Sequence, residues 1–210
     1  MHRNIKILDC TLRDGGYVNN WRFSKFQISK ITDSLEKSNI DIIELGYLND
    51  KKGGKENSTL FDSISAIDNI LSDVPNNFIK VVMVDLFAFD VGKLPPKNDT
   101  KIDGIRLAFH KKDVDDALLS AEKIIDLGYQ LFFQPMVTKM YTDDEFLSLI
   151  EKANQLSIYA FYVVDSFGSM SLTEFKCYID LADSHLNTGI QLGYHSHNNM
   201  QLAFSNAIDL

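Results

Sequence analysis

The sequence predicts an α/β protein whose parallel sheet is built from repeated βα units, a TIM (β/α)₈-type barrel with seven of its strands in view. Three observations predict it. Short apolar runs of strand character alternate with longer stretches of helical period along almost the whole chain. Several of the runs are apolar on both faces, as strands covered by helices must be. No glycine-rich dinucleotide fingerprint follows the first run, which argues against a doubly wound sheet.

In order, the strands are expected at Ile5–Leu12, Ile40–Leu48, Phe78–Leu86, Gly104–Phe109, Gln130–Val137, Tyr159–Val164 and Ile190–His195. The intervening helices carry start and stop signals. Thr142-Asp-Asp-Glu145 and Ser171-Leu-Thr-Glu174 have the form of capping boxes, in which hydroxyl and carboxylate satisfy each other's orphan backbone donors. Val114, Ala117, Leu118, Ala121, Ile124 and Ile125 form one apolar stripe facing the sheet, and Gly128 follows where a left-handed cap would end the helix. Asn49–Asn57, with Gly53 and Gly54, and Lys93–Thr100, with Pro95 and Pro96, read as mobile loops. Neither separates two composition regimes, so residues 1–210 are expected to form a single barrel domain. Met200–Leu210 reads as the start of a seventh helix, so the closing eighth strand is missing and the chain reads as a fragment of a longer barrel. Such an unclosed barrel has two sheet edges that invite association, with a second copy or a partner enzyme.

A hydrophobic content of 45% marks a globular chain, and a net charge of −8 disfavours nucleic acid and anionic membrane surfaces as partners. No apolar run is long enough to cross a bilayer, and Met1–Lys6 lead straight into a strand without a signal-peptide core. The expected location is cytoplasmic. Cys10 and Cys177, in an expected strand and helix, show no metal-knuckle or disulfide spacing and read as reduced core residues.

Two strand ends carry chemistry. The first closes in Asp9-Cys-Thr-Leu-Arg-Asp-Gly-Gly-Tyr17, at the end of a barrel strand where active-site groups sit. Asp9, Thr11 and Arg13 share a face by the period of two, whereas Asp14 turns inward only by leaving the strand, which Gly15 and Gly16 permit. A salt-bridge network at the barrel mouth fits Arg13 and Asp14 as well as catalysis does. The seventh strand closes in Gly193-Tyr-His-Ser-His-Asn-Asn199, where His195 and His197, two apart, present both imidazoles to one side. With a carboxylate available, that pair forms a mixed nitrogen and oxygen set suited to Mn²⁺, Zn²⁺, Co²⁺ or Mg²⁺.

The Asp-x-Thr-Leu-Arg-Asp-Gly run together with His-x-His-Asn resembles the DRE-TIM metallolyase superfamily, whose members include aldolases, acyl-CoA lyases and synthases, and carboxyltransferase domains. The resemblance implies a divalent metal held by Asp14, His195 and His197, and an enolate oxygen held by Arg13. The type implied is a 4-hydroxy-2-oxovalerate aldolase-like lyase that cleaves or forms a C–C bond beside a 2-oxo acid through a pyruvate enolate. The alternatives are a Claisen-type enzyme using an acyl-CoA, and a non-catalytic binding module. Ile43-Glu44-Leu-Gly46 and Val164-Asp165-Ser-Phe-Gly168 resemble further family motifs. Glu44 equally fits a role neutralising Arg13, and Asp165 a role capping the next helix. Where aldolases of the family carry histidine and acyl-CoA enzymes glutamine, this chain has Tyr17, whose phenol suits hydrogen bonding or substrate positioning better than base catalysis.

Overall fold

The structure, a computed structural model, describes residues 5–71 and 74–209. Residues 1–4 of the Met1–Lys6 reading, and Leu210 at the end of the expected seventh helix, lie outside the described residues. The chain divides into two compact units, Met1–Arg106 with Asp126–Tyr129, and Leu107–Ile125 with Gln130–Leu210.

The first unit holds β1 (Leu8–Asp9), α1 (Thr11–Asp14), α2 (Gly16–Asn19), α3 (Lys25–Lys37), β2 (Ile42–Leu48), β3 (Leu60–Phe61), α4 (Ile64–Asp68) and β4 (Ile79–Asp85). β2 pairs in parallel with β1, β3 and β4. Ile43, Leu45, Leu48, Val81, Val82 and Val84 are fully buried, which is the burial on both faces that their continuous apolar runs require.

β5 (Gly104–Phe109) runs from the first unit into the second, which continues with α5 (Val114–Asp126), β6 (Gln130–Pro135), α6 (Asp143–Ala153), β7 (Ala160–Asp165), α7 (Leu172–His185), β8 (Gln191–Ser196) and α8 (Ala203–Ile208). β6 with β7, and β7 with β8, pair in parallel. The core of this unit is aromatic. Phe146 meets Phe161 edge-on at 5.7 Å and Tyr178 at 5.1 Å, geometry that suits the quadrupoles of both rings. Along the sheet the order is β1-β2-β4-β5-β6-β7-β8, the chain order of a barrel sheet, with the short β3 on β2.

The expected helix signals are present. Thr142 Oγ1 accepts from the Glu145 N–H while Glu145 accepts from the Thr142 N–H, and Ser171 and Glu174 repeat the exchange. Ser24 and Gln27 make a third capping box, on α3. On α5 the residues Ala117, Ala121 and Ile124 are buried, and Gly128 takes a φ of +90° just past the helix end.

Three expectations are corrected. The first strand is Leu8–Asp9 rather than Ile5–Leu12, because the Asp9 carboxylate takes the Thr11 N–H at 3.0 Å and its hydroxyl at 2.9 Å and so starts a helical turn at Thr11. Thr11 and Arg13 therefore project from α1 and share no strand face with Asp9. Cys177 is exposed, since the buried side of α7 is Phe175, Tyr178, Ile179 and Ala182 and residue 177 falls opposite it. Cys10, just past β1, is partly buried.

The Asn49–Asn57 loop is internally bonded. The Asn49 side-chain oxygen accepts from the N–H groups of Lys51 and Lys52, and Asp50 meets Lys93 at 2.7 Å from the other expected loop. Among the described residues no helix is long and apolar enough to cross a membrane.

Candidate active site

In the first unit the site is built around Arg13, which is 7% exposed. Its Nε donates to Glu44 Oε2 at 2.7 Å and its Nη1 to Asp14 Oδ1 at 2.9 Å. Glu44, on β2, is fully buried and meets a second guanidinium through its other oxygen, Oε1 lying 2.8 Å from Nη1 of Arg106 on β5. The result is a row of alternating charge, Arg106, Glu44, Arg13, Asp14. Burial alone would lower the Arg13 pKa, but the carboxylates of Glu44 and Asp14 outweigh it and hold the guanidinium charged above its ordinary value. Glu44 thus sets its carboxylate between two guanidiniums, one on each oxygen.

Local structure fixes this arrangement. The buried Thr59 hydroxyl donates to the Leu12 carbonyl at 2.6 Å and so ties α1 to the start of β3. Gly15 has ordinary right-handed helical torsions, so its use is space: a Cβ there would lie 2.5 Å from the Thr11 carbonyl oxygen. At Gly16 a Cβ would collide with the Trp21 indole. Trp21 itself sits at φ +55°, an unusual conformation for a bulky residue, held by its N–H to Gly16 O at 2.9 Å and by Thr59 N–H to its own carbonyl at 2.9 Å.

Tyr17, on α2, lies edge-on against Trp21 at 4.9 Å with most of its surface exposed. Loss of hydration raises its phenol pKa above the ordinary 10.0, opposed by the Arg13 charge. Tyr47 donates to Asp85 at 3.4 Å and its ring lies 6.0 Å from Trp21, so both tyrosines neighbour the indole. The Cys10 thiol, close to Glu44, is pushed up to about 12 by burial first and then by that carboxylate.

In the second unit His195 lies in the last two residues of β8 and His197 just beyond its end, with ring centroids 5.3 Å apart and planes at 90°. His195 is partly buried and His197 exposed. Asp165, at the end of β7 and 3% exposed, accepts the N–H groups of Ser169 and Met170 on its carboxylate, at 3.0 and 2.9 Å, shaping the turn before α7. Its carbonyl accepts the His197 N–H at 3.2 Å. Gly168, at φ +59°, packs so closely on the histidine turn that a Cβ would lie 2.5 Å from the His197 carbonyl oxygen. The β7 turn and the histidine turn are thus one packed piece.

Sequence reasoning missed Arg106. It sits in Gly104–Phe109, six residues all buried, and the apolar run was legible while its one charge was passed over. A lone arginine inside an otherwise apolar strand was the available signal.

No family model matches the chain. It is similar to 4-hydroxy-2-oxovalerate aldolase 6 of Rhodococcus jostii strain RHA1, 25% identical over 207 residues that take in 98% of this chain and 58% of the relative. With the 4-hydroxy-2-oxovalerate aldolase of Carboxydothermus hydrogenoformans it shares 26% identity over 219 residues, 99% of this chain and 62% of that one. Among solved structures, the N-terminal domain of a Bacteroides vulgatus protein assigned as an aldolase matches 97% of this chain and 68% of its own, with a TM-score of 0.77 and 26% identity. The carboxyl transferase domain of Rhizobium etli pyruvate carboxylase, solved with pyruvate and biocytin, has a TM-score of 0.75 at 13% identity over 97% of this chain and 37% of that one, a likeness of fold. The fold is therefore of the TIM-barrel type, its parallel strands following one another in chain order. In sequence the chain is similar to 4-hydroxy-2-oxovalerate aldolases at about 25% identity, and it spans about three fifths of the length of the two curated relatives named above.

Proposed function

We propose that this chain carries the metal and enolate site of an aldolase acting on a 4-hydroxy-2-oxo acid, releasing pyruvate and an aldehyde. The observation that carries the reading is Arg13, charged, buried and clamped by Glu44 and Asp14 on α1, the helical turn that follows β1. The relatives named 4-hydroxy-2-oxovalerate aldolase support the substrate class.

Asp14, His195 and His197 would hold a divalent cation. One carboxylate oxygen and two imidazole nitrogens are a donor set that fits Mn²⁺, and equally accepts Mg²⁺, Co²⁺ or Zn²⁺. Three protein ligands leave positions open for two substrate oxygens, where an all-protein cage would block the reaction. Such a cation supplies Lewis acidity to the 2-oxo carbonyl.

The remaining work falls to the protein's own groups. Arg13 spends Nε on Glu44 and Nη1 on Asp14, which leaves its second amino group to donate to the carbonyl oxygen of the 2-oxo acid. As the 4-hydroxyl gives up its proton to water and becomes the aldehyde carbonyl, the pair of the breaking C–C bond moves toward the 2-oxo oxygen, and negative charge grows where a fixed positive group already points. A proton from water on the enolate carbon completes the pyruvate methyl. Tyr17, with a raised phenol pKa, stays protonated at neutral pH and donates to substrate instead of taking its proton. Asp165 holds the turn that sets the His197 backbone.

The test is exchange of pyruvate methyl protons in deuterated water with Mn²⁺, a reaction that requires the enolate. The expected result is exchange by the wild-type protein and a loss of at least about 100-fold in Arg13→Ala, the scale seen when one charge-stabilising donor is removed. A metal-loaded wild type that exchanges no faster than buffer overturns the reading and favours an acyl-CoA enzyme or a binding module.

A further inference from the structure

We infer that Arg106 is a positioning residue that keeps the Arg13 charge available to the developing enolate; this rests on the reading above. Glu44 and Arg106 are both fully buried, and Glu44 divides its two oxygens between Arg106 and Arg13. A carboxylate enclosed in a dry interior draws strongly on whatever cation it meets. With Arg13 as its only partner of this kind, Glu44 would cancel most of the Arg13 charge, and Asp14 at 2.9 Å would cancel more. Substrate oxygen would then face a guanidinium with little field to offer. Arg106 supplies the second positive charge, so the four groups sum to zero and Glu44 can orient Arg13 without neutralising it. The row also fixes geometry, because Glu44 is held from the β5 side while it grips the Nε edge of Arg13.

The prediction concerns coupling between two residues, which separates positioning from simple structural support. Oxalate is a stable mimic of the pyruvate enolate, and its affinity for the Mn²⁺-loaded protein is measured by calorimetry. Arg106→Met should weaken oxalate binding about 10- to 100-fold, the usual cost of losing a group that supports a site residue. In the Glu44→Gln background, where Arg106 has no Glu44 carboxylate left to balance, the same change should cost less than about threefold. Arg106→Lys, which keeps the charge but loses the planar fork, should fall between wild type and Arg106→Met and serves if the methionine variant does not fold. Equal losses in both backgrounds, or none in either, overturn the inference while leaving the enolate site standing. If the wild-type protein with Mn²⁺ binds no oxalate, the enolate reading itself fails and the inference falls with it.

Discussion

Arg13 shows how much a single side chain depends on its surroundings: the same guanidinium on an open surface would be screened by water, whereas here two carboxylates hold it charged and oriented. Neighbouring groups give two tests at this scale. Because the Tyr17 phenol is raised above 10.0, it is protonated throughout the neutral range and adds no limb to a pH profile below about pH 10. Tyr17→Phe should therefore leave any limb between about pH 6 and 9 of the exchange profile in place; disappearance of a limb would make Tyr17 the base. The Cys10 thiol, at about 12, holds almost no thiolate at pH 8, while Cys177 is exposed. Iodoacetamide on the native protein should mark Cys177 first by peptide mass spectrometry, and prior labelling of Cys10 would contradict the packing around Glu44. Of these residues, Arg13, Asp14, Glu44, Asp165 and both histidines were legible, since charge and imidazole stand out at the ends of apolar runs. Arg106 was not, because a partner that makes a buried charge tolerable is set by the neighbouring strand and leaves no mark on local periodicity.

At the scale of elements, the signals that could be read were those closed within a few residues. The capping boxes at Thr142 and Ser171 are local exchanges between positions three apart, and both are present. Thr142→Ala should cost about 1 kcal/mol, a fall in melting temperature of about 2–4 °C for a chain of this size, readable by calorimetry. An unchanged melting temperature would mean that α6 does not depend on its cap. The first strand was misjudged for the opposite reason. Its apolar run continues past Asp9, and only the competition of the Asp9 carboxylate for Thr11 ends it. The turns after β7 and β8 also escaped the sequence, since the φ of +59° at Gly168 and its seat against His197 depend on two loops packing together. Gly168→Ala forces a Cβ into that contact and a strained conformation costing about 1–2 kcal/mol. It should displace the histidine turn and weaken Mn²⁺ binding about tenfold or more. Undiminished affinity in a folded variant would show that the turn does not set the histidines.

For the whole molecule, the sheet order follows the chain order because each βα unit lays its strand beside the last, and that regularity made the fold readable from alternation alone. The division into two compact units, with β5 running through both, was not readable, since every strand in the sequence looks alike. The central claim is that Asp14 and the two histidines, far apart in sequence, serve one divalent cation. Equilibrium binding of Mn²⁺ to the wild-type protein and to folded Asp14→Ala, His195→Ala and His197→Ala variants tests it most directly. The account predicts one strong Mn²⁺ site per chain in the wild type and a sharp drop in affinity, about tenfold or more, in each variant. Retention of the wild-type affinity by all three folded variants would contradict it.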